Sequence, residues 1–220
     1  MSDIQQHLFE LNVYGFTIVE GVLSTDVAHA MREALIKCEE KFGTETAHRG
    51  TASHVANLPI MDRIFHQTID HPRILPLLEH YLEESLILGS LNSRIVRPGD
   101  GHQGLHSDIP LHMLNSASPV MMNTVWMLDD VSPINGGTRL VPGYTRAAWR
   151  SHRRTWKSNT SFSRKWPQGA SLFLTAKPGT RGGPIQARPI GMRSLAIIEK
   201  TCAPFSATHA KVFHPNGWMG

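Results

Sequence analysis

The stretch GHQGLHSDIP, residues 101–110, sets a histidine and an aspartate one residue apart, His106 and Asp108. In an extended strand, residues i and i+2 project to the same face, so this imidazole and this carboxylate would stand side by side. With a second histidine, they make up the set of two His and one carboxylate that holds a non-haem Fe(II) on one side and leaves positions open for O2 and a small ligand. Taken alone the pair is a short pattern. A chain with 13 histidines can also produce it as a solvated aspartate beside an incidental imidazole. His102 and His112, which flank it, read as exposed histidines. The pair leaves open which residue supplies the third ligand.

The elements around the pair can be read from periodicity. VYGFTIV, residues 13–19, is rich in β-formers and predicts a strand. LSTDVAHAMREALIKCEEKFG predicts a helix, capped by Ser24 or Thr25, with Val27, Met31, Ala34, Leu35 and Cys38 on one face and Gly43 at its end. NLPIMDRIFHQTI and HPRILPLLEHYLEE predict two more helices, with Pro72 suited to a first helical position. SLILGSLNSRIVRPG, PVMMNTVWMLDD and GTRLVPG predict strands that end in turns. Gly136-Gly137 fits a hairpin turn, and Trp126 with Met121-Met122 fits a core. Helices come first and short strands follow, the order of helices packed on an antiparallel β-structure.

A chain of 220 residues that is 40% hydrophobic can bury a sizeable core in one domain. Its mean hydropathy of −0.22 and the lack of a membrane-length apolar run predict a soluble protein. The opening MSDIQQHLFELNVYGF is unlike a signal peptide, and two cysteines, Cys38 and Cys202, make no disulfide framework. A cytoplasmic location is expected. The net charge of +4 and the pI near 9.3 hide an asymmetry. Residues 1–143 carry nine basic and seventeen acidic side chains, a net of −8. Residues 144–220 carry thirteen basic ones and a single acid, Glu199, a net of +12. Past Gly143 the periodicity also fades, and pattern alone predicts a basic, irregular segment with at most a short strand at RSLAIIEK.

The segment HQGLHSD, followed by NTVWMLDDVSPINGGTRLVPG, resembles the phytanoyl-CoA dioxygenase family of Fe(II)/2-oxoglutarate-dependent oxygenases. YGFTIVEGVLSTDVAHAMREAL and HVANLPIMDRIFHQTIDHPRILPLLEHYL are similar to its opening strand and helices, so the resemblance covers residues 10–143. It implies helices ahead of a double-stranded β-helix, the jelly-roll or cupin architecture, here incomplete at its C-terminal end. It also implies Fe(II), 2-oxoglutarate and O2 as cofactor and cosubstrates, and oxidation of a C–H bond in a small organic substrate. His106 and Asp108 match the family's first two metal ligands. Gln103, Thr138 and Asn57 match positions that contact the cosubstrate in relatives, although each would serve equally as a structural hydrogen-bonding residue.

The family's last iron-binding histidine and its carboxylate-binding arginine have no counterpart in context. VPGYTR stands where Ser-His is expected after VPG, the chain has no Trp-His pair, and His152, His209 and His214 sit in unrelated surroundings. A one-base shift of reading frame restores both. If each codon takes the last base of one residue's codon and the first two of the next, Pro178–Gly179 is compatible with Trp and Gly179–Thr180 with His. The string continues as WHAGGAN, the family's distal-histidine motif. Ile190–Gly191 is compatible with Arg, eleven positions after that His. Phe173 to Pro178 can shift to FNGQT, and Ala196 to Lys200 to HYRK. Loss of a base from a VPGSHK sequence can give VPGYTR, which places the break at Tyr144.

The expectation is therefore of two parts. Residues 1–143 hold the helices and the first part of the jelly roll, and residues 144–220 read as an out-of-frame translation of the rest. This puts the activity of the chain itself in question. Two other readings stay open: a non-enzymatic cupin-like binder whose basic tail touches nucleic acid or membrane, for which RRTWKSNTSFSRKW offers the residues, and an inactive remnant. The oxygenase reading expects a small-molecule substrate and neither nucleic acid nor membrane as partner.

Overall fold

The computed structural model describes residues 3–45, 53–84, 86–97, 121–131, 168–169, 171–177, 180–181 and 195–204. The chain opens with a helix, α1 (Asp3–Tyr14), so the run VYGFTIV is divided: Val13 and Tyr14 finish α1, and β1 is Phe16–Val19 only. Gly15 lies between them at φ 79°, a left-handed conformation that ends the helix at low cost only for a residue without Cβ.

α2 (Thr25–Phe42) follows the sequence closely. Ser24 Oγ accepts the Val27 N–H at 3.3 Å, and Ala28, Met31, Leu35 and Cys38 are buried along one face. β2 (Thr44–Glu45) and β3 (Ser53–Val55) come next. The helix expected over NLPIMDRIFHQTI is two short pieces, α3 (Leu58–Met61) and a 3-10 stretch at Arg63–Thr68. Asp62 divides them. It is extended, and its Oδ1 caps the second piece by accepting the Ile64 N–H at 2.9 Å. α4 (Leu75–Leu82) begins later than expected, and it is Pro76 that falls in its first turn, where no N–H is needed.

The remaining strands are β4 (Leu86–Val96), β5 (Met122–Met127), β6 (Ser171–Lys177), β7 (Thr180–Arg181) and β8 (Leu195–Pro204). They form one sheet in the order β1-β6-β5-β8-β4-β3-β2, with β7 paired to β6 and all pairs antiparallel. Residues 171–177 and 195–204, in the segment where pattern predicted at most a short strand at RSLAIIEK, are strands of this sheet. Within the described residues, β6 and β8 are interior strands, and β5 lies between them. The charge asymmetry is thus no division of the sheet, since strands from both sides of residue 143 alternate in it. Short apolar runs such as SLFLTAK and LAIIEKTCAP carry no decisive period, and it is pairing with distant strands that fixes them.

The sheet has two buried faces. On one, Leu91 and Ile95 of β4 and Met122 and Trp126 of β5 join the helices' Leu11, Met31, Leu35, Phe65, Leu77 and Leu78 in the main core. Trp126 is fully buried there, its ring centroid 5.6 Å from that of His71 in an edge-to-face arrangement and its Nε1–H donated to Thr124 Oγ1 at 3.0 Å. On the other face, Val96, Val125 and Met127 are equally buried but take no part in that core.

Candidate metal and cosubstrate site

His106, Asp108, Gln103 and Thr138 lie outside the described residues, as do His102, His112, His152, His209 and His214. The structure does describe the elements on either side of the H-x-D segment, and how they are fixed. β4 ends ten residues before His106. Just beyond that end, Arg97 Nη2 meets Glu39 Oε1 of α2 at 2.5 Å. At the far end of β5, Arg32 Nε of α2 meets Asp129 Oδ1 at 2.8 Å. One helix therefore fastens the strand end leading into the segment and the end of β5, the next described strand after it.

The end of β5 is fastened a second time by residues 168 and 169. The Gln168 N–H donates to Asp130 Oδ1 at 2.9 Å, and its side-chain Nε2 donates to the Leu128 carbonyl at 2.7 Å. The Gly169 N–H donates to the Met127 carbonyl at 2.8 Å, and the Gly169 carbonyl accepts from both Val22 and Leu23 at 3.0 Å. Gly169 has φ 78°, and a Cβ there would lie 2.3 Å from the Leu23 carbonyl oxygen. The backbone approach at this point admits only glycine.

Of the expected site residues, Asn57 is the one described. It closes β3 in a left-handed conformation, φ 56° and ψ 45°, and its side chain does not cap α3. Its N–H donates to Asn92 Oδ1 of β4 at 3.2 Å. Asn92 belongs to the sheet face turned away from the helix core, and alternation puts Arg94 and Val96 on that face with it. Arg94 is buried, only 5% exposed. In register, Arg94 stands across from His54 of β3 and residue 197 of β8, and residue 197 stands across from Met127 of β5. By the same alternation Asn123 of β5 shares the face with Val125 and Met127. A polar set, the half-buried His54, Asn92 and Asn123 and the buried Arg94, thus shares this face with the buried Val96, Val125 and Met127. Sequence reading found the strand but not this set. The signal was present in SLNSRIV, where Asn92 and Arg94 alternate with Leu91, Ser93 and Ile95, but polar residues at alternate positions normally mark a solvated face.

Among the described residues no three His, Cys, Asp or Glu come together to hold a metal. Cys38 is not a reactive thiol. Burial pushes it up, the nearby Asp62 charge pushes it further, and Lys41 opposes them only in part, so it stays protonated in the core. No described helix is long and apolar enough to cross a membrane.

Residues 11–180 match the model of the family described as phytanoyl-CoA dioxygenase. The chain belongs to this family of Fe(II)/2-oxoglutarate-dependent oxygenases, which makes it an oxidoreductase with Fe(II) as cofactor and 2-oxoglutarate and O2 as cosubstrates. The match passes residue 143 and runs through β6. Solved structures with the same fold include the epimerase SnoN from nogalamycin biosynthesis, in complex with Fe3+, alpha ketoglutarate and nogalamycin RO. SnoN is 16% identical, with a TM-score of 0.72 over 97% of this chain and 91% of that one. HygX from Streptomyces hygroscopicus, with nickel and 2-oxoglutarate bound, is 14% identical, with a TM-score of 0.72 over 93% and 87%. The carbocyclase SnoK is 16% identical, with a TM-score of 0.73 over 93% and 84%. The family architecture is the jelly roll, and the chain presents it as a mixed helix-and-strand molecule.

Proposed function

We propose that the chain oxidises a C–H bond of a small organic substrate, with His106 and Asp108 as two ligands of Fe(II) and with Gln103, Thr138 and Asn57 near the cosubstrate. The observation that carries this reading is the His-x-Asp pair itself, set inside the family match and approached by a strand whose end is tied to α2. A neutral imidazole and a carboxylate are the donor types that Fe(II) takes in such sites. The bound metal supplies redox chemistry in which 2-oxoglutarate, O2 and the substrate C–H give succinate, CO2 and the corresponding alcohol. The chain's part is to chelate, to orient the substrate and to keep the site dry, for which the buried second face of the sheet supports the reading. SnoN and HygX have been solved with nogalamycin RO and hygromycin B respectively, which favours a small-molecule substrate here. We expect neither nucleic acid nor membrane as a partner. The alternative of a free basic tail loses ground because two stretches of that tail are sheet strands.

We also place the loss of the third ligand after β6, later than the sequence pattern suggests. The fit of Gly169 and the extent of the family match both support the chain's own frame through β6. The shifted Trp-His reading begins at residues 178–180, where that match ends. The test compares two proteins, the chain as it stands and a version carrying the shifted frame from residue 178. Each is supplied with Fe(II) and 2-oxoglutarate, and succinate formation and iron content are measured. The restored version is expected to hold more iron and turn over faster. His106→Ala and Asp108→Asn should abolish iron binding in both. Iron retained in full by His106→Ala would refute the assignment.

A further inference from the structure

We propose that Asn92 is a positioning residue, which holds Asn57 in the left-handed turn that sets its amide beside the cosubstrate. The inference rests on the oxygenase reading and on the place given there to Asn57. Among the described residues, Asn57 and Glu83 alone take a positive φ without being glycine. Glu83 closes α4 as part of a helix end, its N–H on the Glu79 carbonyl. Asn57 stands between β3 and α3 with an exposed side chain that caps nothing. Glycine would take this conformation at lower cost. A side chain kept in such a turn with no task inside it points to a task outside it. The turn itself is gripped by β4. Backbone pairing of β3 with β4 ends at Val55, across from Ser93, and side chains of β4 continue it. Ser93 Oγ accepts the Val55 N–H at 3.3 Å, and Asn92 Oδ1, on the opposite face, accepts the Asn57 N–H at 3.2 Å. The Asn57 carbonyl in turn accepts the Ile60 N–H at 3.1 Å. Both backbone groups of Asn57 are therefore fixed, and its side-chain amide is left uncommitted among the described residues. The hold of Asn92 comes from the sheet face of Val96, Val125 and Met127, whereas the next residue, Leu58, is buried in the helix core. Asn57 is pinned at the boundary between the two.

The experiment uses the full chain loaded with Ni(II), which blocks turnover, and measures 2-oxoglutarate binding by calorimetry. Wild type is compared with Asn57→Gly, Asn92→Ala and the double variant. Asn57→Gly keeps the left-handed turn and removes the amide, and is expected to weaken 2-oxoglutarate roughly tenfold. Asn92→Ala keeps the amide and releases the turn, and should weaken it roughly fivefold. The double variant separates positioning from a general effect on the fold. If Asn92 acts through Asn57, the double variant binds as Asn57→Gly does and no more weakly. A further loss of roughly fivefold in the double variant overturns the proposal, because Asn92 then acts by another route. Wild-type affinity in Asn92→Ala overturns it as well. Wild-type affinity in Asn57→Gly does the same by removing Asn57 from the cosubstrate, and it leaves the oxygenase reading standing. Asn92→Leu, close to asparagine in volume and without the acceptor, takes the place of Asn92→Ala if that variant fails to fold. A wild-type chain that binds no 2-oxoglutarate sinks the oxygenase reading, and this proposal with it.

Discussion

Gly169 is held from two directions, by the end of β5 and by the turn before α2, and has no room for a Cβ. Gly169→Ala must move the Leu23 carbonyl and hold alanine at φ 78°, at a cost of about 1–3 kcal/mol. Urea unfolding should show a lower midpoint at unchanged slope. An unaltered midpoint would mean that the turn is not built this way. Tyr81 offers a second residue-scale test. Its hydroxyl donates to the Leu8 carbonyl of α1 at 3.3 Å, and burial pushes its pKa up to about 12. The raised value means that the fold favours the neutral phenol. Its contribution is complete below the ordinary value near pH 10 and is lost as pH rises from there through about 12. Tyr81→Phe should flatten the loss of stability across that window, as followed by circular dichroism. At this scale the sequence offers His106 and Asp108 as candidate ligands, and they lie outside the described residues. Arg94 was not legible as a buried residue, because alternation cannot tell a buried polar face from a wet one.

At the scale of elements, α2 ties the molecule together. It packs one apolar face on the core and sends Arg32 and Glu39 to the ends of β5 and β4. Both partners of the Arg32–Asp129 pair keep about a quarter to a third of their side-chain exposure, so its worth is modest. A double-mutant cycle with Arg32→Ala and Asp129→Ala should give a coupling under about 1 kcal/mol. A larger value would show that the pair is better shielded than its exposure implies. α2 was legible because its cap, its period and its terminal glycine agree. α1 was not. It buries only Leu11 fully, and its hold on β1 runs through His7, Glu10 and Thr17, with Thr17 Oγ1 2.8 Å from His7 Nδ1. Such ties between segments leave no periodic trace. β6 was missed, and β8 was anticipated only in its first half at RSLAIIEK, for a related reason, since short runs among Gly and Pro take their structure from partners far away in the chain.

For the whole molecule, the order of the sheet makes the C-terminal third indispensable. β5 is paired on one side by β6 and on the other by β8, and β4 relies on β8 along most of its length. A chain ending at Gly143 would leave β5 with both edges open, an invitation to aggregate. It should be recovered mainly as insoluble protein, while the full chain stays in solution. A monomeric, folded 1–143 fragment in sedimentation would contradict the sheet order.

The place of β8 also bears on how the molecule is made. The last described strand to be synthesised is the middle one of the sheet, inserted between β5 and β4, and its partner residues in β4 precede it by about a hundred positions. The half built first cannot finish its own sheet while the rest is still in the ribosome. Until the end emerges, it must wait with two strand edges unpaired. Pairing over such distances is slow, and the nascent chain is open to capture by chaperones or by its neighbours. Slowing translation should therefore leave its yield unimproved, whereas holdase chaperones should raise it.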